Sequence, residues 1–229
     1  MKKLLHFSGI LLMGCVLICV SAASKAQGLH YGVMAGMSVA TILEKNDLAT
    51  DVNKSRRLGM QLGVAVEYEI LSFLSVSSAI SLFQKGDRIS DQFATSKASI
   101  GYIDIPITIG YKIPLGNFSL TGLVGPYTSV AVVGSRSFTM TNPDVEPYFE
   151  WNFEENGHDA YLNTDAPMFG EEWNSYKRFD TGISVGLKLQ YGNIQLNTAY
   201  SHGFVDIRPS ETINAKNSVF NFSLIYFIK

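Results

Sequence analysis

Apolar and polar residues alternate with a period of two in eight separate stretches of the chain. In the second, Leu58, Met60, Leu62, Val64, Val66, Tyr68 and Ile70 share one parity, while Gly59, Gln61, Gly63, Ala65, Glu67 and Glu69 share the other. The fourth sets Ile103, Ile105, Ile107, Ile109, Tyr111 and Ile113 against Asp104, Pro106, Thr108, Gly110 and Lys112. In the sixth, Phe179, Thr181, Ile183, Val185, Leu187 and Leu189 oppose Asp180, Gly182, Ser184, Gly186 and Lys188. A 3.6-residue period would scatter these sets around a helix, so each stretch predicts a strand whose two faces meet different surroundings. The other five run from about Leu29 to Val39, Leu74 to Gln84, Phe118 to Val132, Ile194 to Phe204 and Phe220 to Ile228. Pro106 and Pro126 each remove a ladder donor, which predicts a bulge or a missing bond at both.

The links between these strands alternate in length. Short ones lie near Leu71–Phe73, Pro114–Asn117 and Gln190–Asn193; long ones span about 42–57, 86–99, 134–177 and 205–218. Antiparallel strands with all short turns at one rim and all long loops at the other describe an all-β, eight-stranded, up-and-down barrel. A soluble barrel of this size fills its interior with large apolar side chains. Here the polar face is built mainly from Gly, Ser, Ala, Gln and Asn, which suit a narrow lumen, and the Ile/Leu/Val face suits lipid. The prediction is a transmembrane barrel in the outer membrane of a Gram-negative bacterium. Tyr31, Tyr68, Tyr111, Phe118, Tyr191 and Tyr226 fall outward at the short-turn rim, and Phe179, Phe204 and Phe220 fall outward near the other. Two such belts match the aromatic girdles of membrane barrels.

Inward parity gathers Glu67, Glu69, Lys112 and Lys188 near the short-turn rim, and Lys85, Asp104, Arg178 and Asp180 near the opposite one. Each layer balances two acids with two bases, as charges in a closed, low-dielectric interior must. With Gln61, Gln195, Asn197 and Asn221 these residues form a candidate lumen network that plugs the barrel. The same groups could line an ion-selective path. The plug is preferred, because eight strands leave an interior just wide enough for side chains.

The N-terminus reads as an export signal. Lys2 and Lys3 precede a mostly apolar stretch, Leu4 to Val20, and then the small residues before Ala26, so residues 1–26 are expected to be removed and 27–229 to form the barrel domain. A membrane anchor is the weaker reading, and a lipid on Cys15 is weaker still, because Met13 fits the lipoprotein pattern poorly. Both cysteines, Cys15 and Cys19, leave with the signal, so neither a disulfide nor thiol chemistry is expected. Removing three lysines takes the net charge from −2 to −5. With no basic run, nucleic acid is not an expected partner.

The link 134–177 holds nine acids between Gly134 and Tyr176 and a single base, Arg136. It also carries both tryptophans of the chain. The segment is expected to fold back as a hairpin extension or a cap over the extracellular mouth, on which Tyr148, Phe149, Trp151, Phe153, Tyr161 and Trp173 are candidate surface-binding residues, with a self-packed solvated loop as the alternative. The acids lack calcium-loop spacing, so no metal is assigned. Ser201 and His202 are neighbours on a strand and point to opposite faces, and no phosphate-binding glycine loop occurs. The expectation is a non-enzymatic protein without a cofactor.

Tyr31–Ser38, Gln84-Lys85-Gly86 and Tyr102–Ile107, with Gly125-Pro126-Tyr127 and Phe179-Asp180-Thr181-Gly182, resemble the porin-like outer-membrane β-barrel domain of Bacteroidetes. The likeness covers nearly all of the expected mature chain. Some relatives in that family, the PorT-like proteins, assist protein secretion and gliding. The resemblance implies contact with outer-membrane lipid, handling by the barrel assembly machinery and an extracellular or envelope protein partner. Barrels of this kind tend to end on an aromatic that the machinery reads; here Phe227 is followed by Ile228-Lys229. The preferred role is structural or adhesive, through the extracellular loops. The alternatives are a narrow channel for ions or small solutes and an accessory subunit of a secretion machine.

Overall fold

The computed structural model describes residues 28–46, 53–90, 94–140, 168–170, 175–208 and 213–228. The strands are β1 (Leu29–Asn46), β2 (Asn53–Ser55), β3 (Arg57–Leu71), β4 (Leu74–Ser90), β5 (Ala94–Leu115), β6 (Phe118–Met140), β7 (Phe179–Tyr191), β8 (Ile194–Gly203) and β9 (Ile213–Phe227). β2 and β3 both pair with β4 and are separated at Arg56, so together they fill one place in the ring. The order β1-β3-β4-β5-β6-β7-β8-β9 closes through β1 and β9, and every pairing is antiparallel. The result is a closed eight-stranded barrel, and no helix occurs among the described residues.

Burial along the strands is inverted relative to a soluble protein. Met60 is 75% exposed and Leu58 72%, whereas Asp180 is fully buried. All nine aromatics assigned to the two belts are exposed on the outer face. An outer wall of exposed Ile, Leu, Val and Met around buried Asp, Glu and Lys has hydrocarbon, not water, as its matching surroundings.

Leu71 and Leu74, Leu115 and Phe118, and Tyr191 and Ile194 pair across two-residue turns at one rim. Two of these turns read Gly-Asn, with φ of +66° at Gly116 and +54° at Gly192. A positive φ at the first central residue suits the twist of a hairpin and favours glycine there.

At the opposite rim the strands outrun the sequence expectation. The segment expected as a link over 86–99 is mostly ladder: β4 runs to Ser90 and β5 starts at Ala94, leaving 91–93 as the connection. β6 continues to Met140, past the start at 134 expected for the long link. The polar runs Asp87-Arg88 and Thr95-Ser96-Lys97 break the alternation there. Beyond the hydrocarbon the outer face meets water while Ala98 and Ile100 of β5 turn inward to a buried apolar cluster, so the ladder continues while the pattern of apolar-out, polar-in is lost.

The prolines interrupt rungs without shifting register. β5 and β6 pair on both sides of Ile107–Thr108, which lie opposite Gly125–Pro126, but not across them. β4 and β5 likewise skip Ala79–Ile80, opposite Ile105–Pro106. The register shift falls elsewhere: Gly101 faces Val133 and Tyr102 faces Ala131, so Val132 is the extra residue of a bulge. The bulge changes the inward parity of β6. Below it Ala131 is buried; above it Gly134 and Arg136 stand opposite the buried Ile100 and Ala98.

Candidate functional site: the closed lumen

The inward residues lie in rows that cross the barrel from strand to strand. One row runs Asp180–Ser129–Asp104–Ser81 over β7, β6, β5 and β4. A second runs Lys112–Thr121–Lys188–Asn197–Ser223–Gly36–Gln61 from β5 round to β3. Strand pairing thus delivers carboxylates and ammonium groups to shared levels from positions up to 121 residues apart.

At the upper level, toward the long-loop rim, Lys85 Nζ lies 3.2 Å from Asp180 Oδ2 and 3.5 Å from Asp104 Oδ1. It also donates to Ser129 Oγ at 2.9 Å, and Ser129 in turn donates to Asp104. The rings of Phe83, Tyr102 and Tyr127 surround the ammonium, with centroids 5.5, 4.7 and 4.8 Å away. Asp180 gains further donors from the Tyr127 hydroxyl at 3.2 Å and Asn217 Nδ2 at 2.8 Å. The ammonium is therefore held by charge, hydroxyl and π faces at once.

At the lower level Lys188 Nζ sits 2.8 Å from Glu67 Oε2, and both side chains are buried. Gln195 Nε2 donates to the same carboxylate at 3.4 Å. Nearer the short-turn rim Lys112 pairs with Glu69, whose Oε1 is also 4.0 Å from His30 Nε2. Between the levels lies a cavity of about 70 Å³ whose lining includes Glu67, Asp104 and Lys188.

Seven of the eight residues assigned to the lumen network meet in this way. Arg178 does not, which corrects the expected two-to-two balance. It precedes the first residue of β7, and inward parity has no meaning outside a ladder. Its side chain is exposed, donates to Ala131 O at 3.0 Å and stacks 4.3 Å from the Phe169 ring. The upper layer consequently has one ammonium for two carboxylates.

Two elements of the site escaped the sequence reading. The first is the aromatic cage around Lys85, although the inward parity of Tyr102 and Tyr127 was available to find it. The second is the make-up of the apolar cap above the upper layer, which the sequence placed in the link 134–177 alone. Ile42, Ala98, Ile100, Tyr102, Ala131 and Ala215 from the strands pack with Tyr176 and Ile207, and Met168 and Phe169 press against them. Phe169 and Tyr176 form an isolated bridge, and Ile207 exchanges backbone hydrogen bonds with Lys177 and Ala215. No periodic signal in the loops announces such packing.

Tyr148, Phe149, Trp151, Phe153, Tyr161 and Trp173 lie outside the described residues, as does the expected signal, 1–26. Ser201 Oγ is 2.7 Å from Ser184 Oγ inside the lumen, while the ring of His202 packs edge-on against Phe204.

Residues 22–208 match the family described as "Outer membrane protein beta-barrel domain". The chain belongs to that family. The barrel is therefore an outer-membrane protein. No curated protein matches the chain. Among solved structures, it is similar to Ail, the attachment invasion locus protein of Yersinia pestis, at 15% identity and a TM-score of 0.42, covering 88% of this chain and 99% of that one. OprG from Pseudomonas aeruginosa is similar at 14% identity and a TM-score of 0.44, over 88% and 95% of the two chains. Neisserial surface protein A is similar at 11% identity and a TM-score of 0.38, over 87% and 99%.

Proposed function

We propose that this small outer-membrane barrel is a non-enzymatic, closed scaffold that acts through its extracellular end, binding a surface or an envelope partner there. The observation that carries this reading is the state of the lumen. Buried ion pairs at two levels, Lys188–Glu67 and Lys85 with Asp104 and Asp180, lie beneath an apolar cap. Opening a path would strip these charges of partners, which costs several kcal/mol for each broken pair, about 3–5. Long strands are meanwhile invested beyond the apolar wall, and β6 leads from them into the acidic, aromatic segment that follows Met140. Aromatics interspersed with charges are the composition of a binding surface. The PorT-like likeness of the sequence supports a place in the cell envelope, in contact with lipid and possessed of a protein partner.

The test is deletion of 141–167 in the full chain, which spares the cap residues Met168, Phe169 and Tyr176. The expected result is a barrel that still inserts and still shows heat-modifiable migration, while cells lose attachment or a co-purifying envelope partner. Unchanged attachment and unchanged partners would overturn the surface role. A solute flux into liposomes carrying the intact protein would favour the channel reading instead.

A further inference from the structure

The outer wall is not smooth. Across β3, β4, β5 and β6 it holds a hollow of about 420 Å³, bounded by Met60, Leu62, Leu82 and Val133. Its origin is local. In the row Gln84–Gly101–Val133 the central place has no side chain, and a Cβ there would come within 2.7 Å of Val133 Cγ2. The four bounding side chains are between 60% and 75% exposed, so the hollow opens onto the surroundings of the barrel, which are hydrocarbon.

Polarity changes in order along β5. From Gly101 the outward places climb through Ser99 to Lys97, and their partners on β6 are Val133, Ser135 and Ser137. Gln84 and Ser99 line the hollow's upper margin, where Gln84 Nε2 donates to Ser99 Oγ at 2.8 Å. Strand residues advance about 3.3 Å each, which sets Lys97 about 13 Å along the strand from Gly101. Strand tilt reduces this to about 10 Å along the membrane normal. The headgroup zone of one leaflet is about 5–8 Å deep. Chain, ester and phosphate of a single lipid thus fall beside Gly101, Ser99 and Lys97 in turn.

Charge selects the headgroup. Register sets Arg88 directly opposite Lys97. Like charges at one rung repel. On the same face the next rungs are Gly86–Ser99–Ser135 below and Ser90–Thr95–Thr139 above, neither of which supplies a carboxylate. Lys97 is exposed and has no ion pair among the described residues. A guest on this wall must be apolar at one end and anionic at the other.

We propose that the wall from β3 to β6 binds one lipid of the outer leaflet, with an acyl chain in the hollow and a phosphate headgroup at the Arg88–Lys97 rung. This goes beyond the surface role, because it uses the outer wall and does not depend on what the extracellular end binds.

The test is native mass spectrometry of the purified barrel, released from detergent micelles that contain phosphatidylglycerol or phosphatidylcholine. One phosphatidylglycerol is expected to stay bound at collision energies that strip phosphatidylcholine. Lys97→Gln should weaken its retention about fivefold, the factor for one cation at a lipid surface, and leave phosphatidylcholine unchanged. Leu82→Trp, which fills the hollow, should weaken the retention of both lipids. If it does not fold, Met60→Trp fills the hollow from β3. Equal retention of the two lipids, or retention of phosphatidylglycerol that Lys97→Gln leaves unchanged, would overturn the proposal. Displacement by inorganic phosphate with no effect of filling the hollow would also overturn it, and would mark the rung as a site for free anions. These spectra read the wall and deletion of 141–167 reads the surface role, so failure of one is distinguishable from failure of the other.

Discussion

Lys85 carries the upper level. Its ammonium is shared by two buried carboxylates and caged by three rings, and only 3% of its side chain reaches solvent. Replacing it with Met removes the cation while Asp104 and Asp180 stay buried, which should cost about 3–5 kcal/mol of stability. Unfolding of the purified barrel in detergent by urea measures this loss. The triple variant Lys85→Met, Asp104→Asn, Asp180→Asn should recover much of it, because no charge is then left unpaired. Most of this level was readable as parity: Asp180 and Asp104 stand at inward positions of long alternating runs, and Lys85 keeps the parity of its run because β4 continues to Ser90. Arg178 was misread because it sits one residue before its strand begins. The cage was overlooked because an aromatic at an inward position signals packing, and only the three-dimensional pairing of β4, β5 and β6 shows that it packs on an ammonium.

Each strand is a greasy face and a polar face separated by one residue, and β7 displays the contrast most cleanly. Val185 is exposed midway between Phe179 and Tyr191, which mark the two aromatic belts on this strand. Val185→Arg should therefore cost about 2–4 kcal/mol, whereas the same change at Phe179 should cost only about 0–1 kcal/mol. Folding titrations into lipid vesicles compare the two. In the β7–β8 turn Gly192 holds φ at +54°. Gly192→Ala should destabilise by about 1–2 kcal/mol, the cost of a side chain in the left-handed region, in the same titration. Strands were legible where lipid lay outside and polar residues inside, as over Leu58–Ile70 and Ile103–Ile113. They were illegible above the lipid, where the outer face turns polar and Ala98 and Ile100 pack inward, so the upper halves of β4, β5 and β6 read as loops. The prolines were placed correctly as sites of lost bonds. The bulge at Val132 left no mark, because a valine fits either side of a wall whose outer face is apolar.

Closure of the barrel sets what the molecule as a whole can do. The ring of eight places brings β1 against β9, so no strand presents an open edge to hydrocarbon. The same closure narrows the interior to side-chain width, and the chain fills it with two ionic levels, a small polar chamber and an apolar cap. Fold and compartment follow from the alternation of residues alone. The cap does not, because Met168, Phe169, Tyr176 and Ile207 reach it from irregular segments with no period to read. Deleting the cap's side chains should not by itself open a path, since the levels at Lys85 and Lys188 remain beneath it. Single-channel recording of the purified barrel in a planar bilayer tests the closed lumen most directly. The account predicts a bilayer that stays electrically silent in potassium chloride. A large, steady conductance that recurs with each insertion would contradict it.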